Sequence, residues 1–175
     1  VPMFHVNAWG FPFAALNFGS NMVLPGPMMT PAIILDLIEQ EKVTITAGVP
    51  TIWLGVLAEQ EKQPRDLSSI RLIISGGSAS PKGLIQAYNE KLGVPYVNAY
   101  GMTETSPLVS MSHPTSEMDH YSEDELLDMR VTQGLTASLV ETEVVNENGP
   151  VPWDGQTMGE LRIRGPWIAS SYYQD

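Results

Sequence analysis

Between Val43 and Tyr100 short apolar runs alternate with segments of helical periodicity, and that alternation restricts the chain to few folds. Val43 to Ala47 is a β-branched run that predicts a strand. Val49-Pro50 opens a helix carrying Ile52, Trp53, Val56 and Leu57 at helical spacing, which ends in the charged turn Glu59 to Asp66. Arg71 to Ser75 is a second short strand and runs straight into Gly76-Gly77. Ser80-Pro81 offers an N-cap hydroxyl and a first-turn proline to a helix carrying Leu84, Ile85, Tyr88 and Leu92, closed by Gly93. Tyr96 to Tyr100, bounded by Pro95 and Gly101, is the third strand. Strands and helices in this order predict a right-handed βαβαβ layer with parallel strands.

The flanks extend the pattern. Residues 1 to 24 are apolar and aromatic and contain no Asp, Glu, Lys or Arg, so they read as interior, with a helix from Asn7 to Leu16 and a strand at Met22 to Leu24. Thr30-Pro31 starts a helix whose apolar side is Ile33, Ile34, Leu37 and Ile38. Beyond Ser106 the character changes. Residues 115 to 129 hold six acids and no Lys or Arg, with Ser122 and Glu125 in capping-box spacing. Ala137 to Val145 and Glu160 to Arg164 read as strands about a turn at Asn146 to Pro150. The expected fold is α/β: a three-layer αβα subdomain over 1–112 with a mostly parallel sheet, an acidic connecting segment over 113–133, and a small β-rich, barrel-like subdomain over 134–175.

Bulk properties narrow the function classes. Nine basic residues against twenty acidic ones give a formal charge of −11, which opposes binding to nucleic acid or to an anionic membrane surface. No apolar run approaches the roughly 20 residues of a membrane span. Absence of cysteine removes disulfides and thiolate metal sites and is compatible with a cytoplasmic setting. Oligomeric state is left open.

Chemistry concentrates where the third strand ends. Gly101 permits a sharp bend, and Thr103, Glu104 and Thr105 follow it at a strand's carboxyl end, where open α/β sheets bind ligands. Tyr100 can cover the face of a base, Thr103 can donate to a phosphate oxygen, and Glu104 can hold a hard cation such as Mg²⁺. Asn98, two residues before Tyr100 on the same face, can reach a base edge. These types suit a nucleoside triphosphate. Each also has a structural alternative: Tyr100 as a core aromatic, Thr103 and Glu104 as a helix cap and first-turn acid, Gly76-Gly77-Ser78 as a simple turn, and His5 as a buried, hydrogen-bonded histidine.

The pentapeptide YGMTE at Tyr100 to Glu104, preceded by Asn98 and Ala99, resembles the adenine-binding motif of the acyl-adenylate-forming enzymes. FHVNAWG at Phe4 to Gly10, SGGSAS at Ser75 to Ser80 and GELRIRGP at Gly159 to Pro166 resemble three further motifs of that family, in the family's order. The FHVNAWG form is similar to medium- and long-chain fatty acyl-CoA synthetases. The resemblance implies ATP, Mg²⁺ and coenzyme A as cofactor, metal and co-substrate, and a fatty acid as the carboxylate that is activated. It assigns Gly76, Gly77, Ser78, Asn98, Ala99, Tyr100, Gly101 and Thr103 to the nucleotide, Glu104 to Mg²⁺, and His5 to the reacting carboxylate and phosphate. It places Trp9 at the mouth of an acyl tunnel that Val6, Asn7 and Gly10 line. The family's glycine-rich phosphate loop, ribose-binding acid and catalytic lysine have no counterpart in these 175 residues, so the chain is expected to be the central segment of a larger ligase and inactive alone. An amino-acid or other carboxylate adenylation domain, and a non-catalytic nucleotide-binding module, are the alternatives.

Overall fold

The computed structural model describes residues 1–174. Strands β1 (Ile45–Gly48), β2 (Leu72–Gly76) and β3 (Tyr96–Gly101) lie side by side in that order and run parallel, with Ile45 opposite Leu72 and Ile73 opposite Tyr96. The sheet then continues antiparallel through β4 (Leu108–Met111) and β5 (Leu135–Thr136). A second, antiparallel sheet has the order β7 (Gly149–Pro150), β6 (Glu141–Asn146), β8 (Glu160–Arg164). The α/β class expected from the alternation is the one observed.

One face of the large sheet carries the hydrophobic core. Ile73 and Tyr96, paired across β2 and β3, point the same way and meet Leu35 and Ile38, Trp53 and Val56, Leu84 and Ile85, and Leu127 from four helices. The Pro31–Glu41 helix starts as expected, with Thr30 Oγ1 accepting from the Ile33 N–H at 3.3 Å and proline in the first turn. The Pro50–Lys62 helix buries Trp53, whose ring meets Tyr88 edge-on at 6.3 Å, and Tyr88 stacks on Tyr96 at 5.2 Å. The Lys82–Gln86 helix widens into a π-helical turn at Ala87–Lys91. There the Asn89 amide donates to the Ile85 carbonyl at 2.8 Å and accepts from the Tyr96 N–H at 3.3 Å. A side chain inserted into the i→i−4 ladder in this way opens the turn and ties it to β3.

Four expectations are corrected. Ser80 does not cap its helix: Pro81 takes that place, and the Ser80 hydroxyl turns inward. The Asn7–Leu16 helix begins only at Phe11, because Pro12, without an N–H, sits in the first turn and not in the middle. Ahead of it, Val6 to Trp9 form a left-handed turn, with four consecutive φ angles between 46° and 55°. That conformation costs L-residues roughly 1–2 kcal/mol each. Met22 to Leu24 find no partner strand among the described residues, and residues 1–24 are largely exposed, Phe4 by 91% and Phe18 by 80%. Finally, the run Ala137–Val145 is shared between sheets: Ala137 N–H donates to the Val109 carbonyl, Leu139 turns left-handed, and β6 begins only at Glu141.

The acidic segment folds onto the first sheet. Ser122 and Glu125 form the expected capping box of the Glu123–Val131 helix, which buries Leu127 in the main core. In the small sheet, Glu141 faces Arg164 and Glu143 faces Arg162, and the first of these pairs is a salt bridge.

Candidate active site

The carboxyl ends of β2 and β3 adjoin, with Gly76 paired to Ala99. A Cβ built on Gly76 would lie 2.8 Å from the Ala99 carbonyl oxygen and 3.2 Å from the Trp9 ring. Gly76 points to the face opposite Ile73, so Trp9 covers the sheet from the side away from the helical core. Only a residue without a side chain lets this ring approach the strand end. Beyond it, Gly77 turns with a φ of 84°, and Gly77 to Ala79 are exposed. The front segment and the glycine bend, far apart in sequence, therefore meet at the end of β2.

On the neighbouring strand, the register with β4 shifts between Tyr100 and Gly101. Such a bulge re-aims the side chain beside it. Gly101 is mandatory: a Cβ there would fall 1.6 Å from the Pro107 carbonyl oxygen. The next residues form a 3₁₀ turn, Thr103–Thr105. Thr105 holds it, accepting from the Met102 N–H at 2.8 Å and donating to the carbonyls of Met102 and Pro107. With Thr105 in that role, the exposed Thr103 hydroxyl takes none of the turn's hydrogen bonds among the described residues.

Glu104 is held from a distance in sequence. Its carbonyl accepts from the Ala169 N–H at 2.8 Å, and the nearby Trp167 Nε1 donates to the Leu108 carbonyl at 3.1 Å. The Tyr172 hydroxyl donates to the Glu104 carboxylate. That bond, followed by a backbone hydrogen bond, lowers the carboxyl's pKa, while the same contact raises the Tyr172 phenol. Tyr172 was not singled out from sequence. Its one signal is its place just after the GELRIRGP motif, and periodicity says nothing about a contact 68 positions away.

The remaining candidates separate. Gly77, Ser78 and Tyr100 stand at adjacent strand ends, whereas Asn98 is buried, with its amide donating to the Arg130 carbonyl at 2.9 Å. Its Oδ1 has no partner among the described residues. Asn98 therefore faces the helical layer. His5 is exposed, which corrects the buried-histidine alternative, and Val6, Asn7 and Gly10 belong to the left-handed turn and its end. No group of three or more His, Cys, Asp or Glu side chains among the described residues could cage a metal alone. A single carboxylate at Glu104 fits Mg²⁺ arriving with phosphates, since that ion keeps waters and takes one or two protein carboxylates beside its substrate.

The parallel strands β2 and β3 thus end beside an aromatic, a hydroxyl and a lone carboxylate, at the edge where open α/β sheets bind ligands. The chain belongs to the AMP-binding enzyme family, whose profile matches residues 1–173. It is 45% identical over 174 residues, 99% of this chain and 32% of the relative, to the long-chain-fatty-acid–CoA ligase of Thermus thermophilus. It is 41% identical, over the same shares of both chains, to the medium-chain-fatty-acid–CoA ligase of Ectopseudomonas oleovorans. Among solved structures it is similar in fold to the o-succinylbenzoate coenzyme A synthetase of Bacillus subtilis in complex with ATP and magnesium ion. The TM-score is 0.79 at 24% identity, covering 100% of this chain and 34% of the other. The chain thus spans about a third of the length of the relatives it matches. No helix of the described residues is long and apolar enough to cross a membrane.

Proposed function

We propose that this chain is the central segment of a fatty-acid–CoA ligase. The observation that carries the reading is 45% identity to a long-chain ligase along 99% of the chain, and the meeting of Trp9, Gly76 and the Tyr100 strand end is what that chemistry needs. In the first half-reaction a fatty-acid carboxylate oxygen attacks the α-phosphorus of ATP, forming acyl-AMP as the bond to pyrophosphate breaks. In the second, the sulfur of coenzyme A attacks the acyl carbon, its proton is lost, and AMP leaves.

Little covalent work falls to the protein, so the side chains position and neutralise. Tyr100 lays its ring on the adenine, and the backbone of Gly76, Gly77 and Ser78 lines the base's other edge, with Ala99 and Gly101 leaving room for it. The Thr103 hydroxyl donates to a phosphate oxygen. Glu104 would hold Mg²⁺, which offsets charge on the phosphates. The exposed His5 imidazole orients the incoming carboxylate. Trp9, Val6, Asn7 and Gly10 border the acyl chain. Asn98, bonded to Arg130, supports the strand beneath the base and does not itself read it. The work is cytoplasmic in this reading, a setting with which the cysteine-free composition is compatible.

The experiment is pyrophosphate release by the full-length protein carrying this sequence, with fatty acid, Mg²⁺-ATP and coenzyme A. Glu104→Gln should lower the rate by about 100-fold or more, as loss of one electrostatic stabiliser does, without changing the far-ultraviolet dichroism. Release that is independent of fatty acid, or unaffected by the substitution, would refute the assignment.

A further inference from the structure

Beneath the glycine bend lies a buried polar triad that the roles above leave unused. Ser75 and Ser80 flank the exposed Gly77–Ala79 stretch, and the Ser80 hydroxyl donates to the Ser75 hydroxyl at 3.2 Å. The Tyr96 hydroxyl, on β3, lies 2.9 Å from the same Ser80 oxygen. With the Ser80 proton directed at Ser75, Tyr96 is the donor to Ser80. All three residues are at most 3% exposed.

The two serines close the neck of the loop, and the tyrosine fastens that closure to the strand that ends in Tyr100. Tyr96 is itself immobilised, because its ring stacks on Tyr88 and its backbone N–H donates to the Asn89 side chain. Hydroxyls buried this deeply have no water to replace a lost partner, so removing one leaves another unsatisfied. Burial also raises the pKa of the Tyr96 phenol, which keeps its proton for the bond.

We infer that Tyr96 is a positioning residue for the nucleotide: through Ser80 and Ser75 it holds the Gly77–Ala79 backbone at a fixed spacing from Tyr100, an assignment that rests on the ligase reading of this corner. The Tyr96 hydroxyl touches no reacting atom. It acts by keeping the loop in the shape that accepts the adenosine.

Tyr88 supplies the comparison, since its hydroxyl lies in the same aromatic stack but donates to the Trp53 carbonyl at 2.8 Å, away from the loop. Tyr96→Phe, Ser80→Ala, their double variant and Tyr88→Phe would be made in the full-length protein. Two quantities are measured where each is folded: amide hydrogen exchange at Gly77 to Ala79, and the dissociation constant of Mg²⁺-ATP. Tyr96→Phe and Ser80→Ala should each speed the exchange and weaken ATP binding by about fivefold, the net worth of one hydrogen bond. The double variant should be no weaker than the weaker single one, because the two substitutions break one network. Tyr88→Phe should lower the melting temperature and leave both readouts in place.

If Tyr88→Phe weakens ATP equally, the triad is merely structural and the inference fails. It fails too if Tyr96→Phe leaves either loop exchange or ATP affinity unchanged, and then wild-type ATP binding still upholds the ligase reading. Should the wild type not bind ATP at all, that reading and the positioning role fall together. If Tyr96→Phe does not fold, the smaller Ser80→Ala change decides by the same two readouts.

Discussion

Residues 1–29 and residues 30–100 are both rich in apolar side chains, and they have opposite fates. The second region buries Leu35, Trp53, Ile73, Ile85 and Tyr96 almost completely, whereas the first leaves Phe4, Phe13, Leu16, Phe18 and Leu24 in solvent. The difference is one of pattern. From Thr30 onward the apolar residues recur at helix or strand spacing between caps and prolines, so each element has one face to bury. The first 29 residues offer aromatics on all sides of a left-handed turn and a short helix, and among the described residues only Ala8 of that stretch is buried. The core region closes on itself with one further helix, which adds Leu127. The front segment presents an apolar surface and delivers Trp9 to Gly76 at the end of β2.

The largest test of this contrast is Trp53→Ala. The ring is 1% exposed and sits between the Tyr88 edge and the wall of the core, so its loss should cost about 3–5 kcal/mol in denaturant unfolding. A cost under about 1 kcal/mol would show that the two regions are equally loose. Phe18→Ser should change stability by no more than about 0.5 kcal/mol in the 175-residue chain. Repeating that substitution in the full-length protein sharpens the comparison, since a cost rising toward about 3 kcal/mol there would show the front segment to be covered by other residues.

The smallest effect concerns pH. Glu104 has a carboxyl pKa lowered from 4.5 by its Tyr172 bond, so the stability from that contact is fully present above 4.5 and disappears as pH falls through the lower folded value. Tyr172 is raised from 10.0, so the contact is also lost as pH climbs through the folded phenol value. A fluorescence titration of the tyrosines should show both limbs, and Tyr172→Phe should remove the acid limb and only that residue's share of the alkaline one, since exposed phenols such as Tyr173 still ionise there. A flat titration between the acid limb and neutrality is expected, and a transition there would contradict the Glu104–Tyr172 pairing.

The boundaries of the core elements were largely legible. Thr30-Pro31, Val49-Pro50 and the Ser122–Glu125 capping box lie where local chemistry demands a helix start, and Tyr96–Gly101 is a strand as its composition suggests. The candidate site motif is a local feature too, since Tyr100 through Glu104 are consecutive and follow a strand that the structure contains. Ser80 misled, because a serine before proline has the signature of a cap while its hydroxyl had a better partner 16 positions on, at Tyr96. Asn98 misled likewise: alternation places it on the Tyr100 side of the strand, but the Arg130 carbonyl that claims it comes from a distant helix.

What the order of residues determined by itself is the α/β alternation, the helix starts and the row of chemical types at Tyr100 to Glu104, all set by interactions within a few positions of the chain. Tertiary structure alone decided that β4 and β5 close the sheet antiparallel, that Trp9 rests on Gly76, that Tyr172 meets Glu104, and that two serines and a tyrosine share one buried network. Each of those contacts is chosen by the packing of whole elements against one another, when a hydroxyl or ring takes the partner that burial leaves within reach.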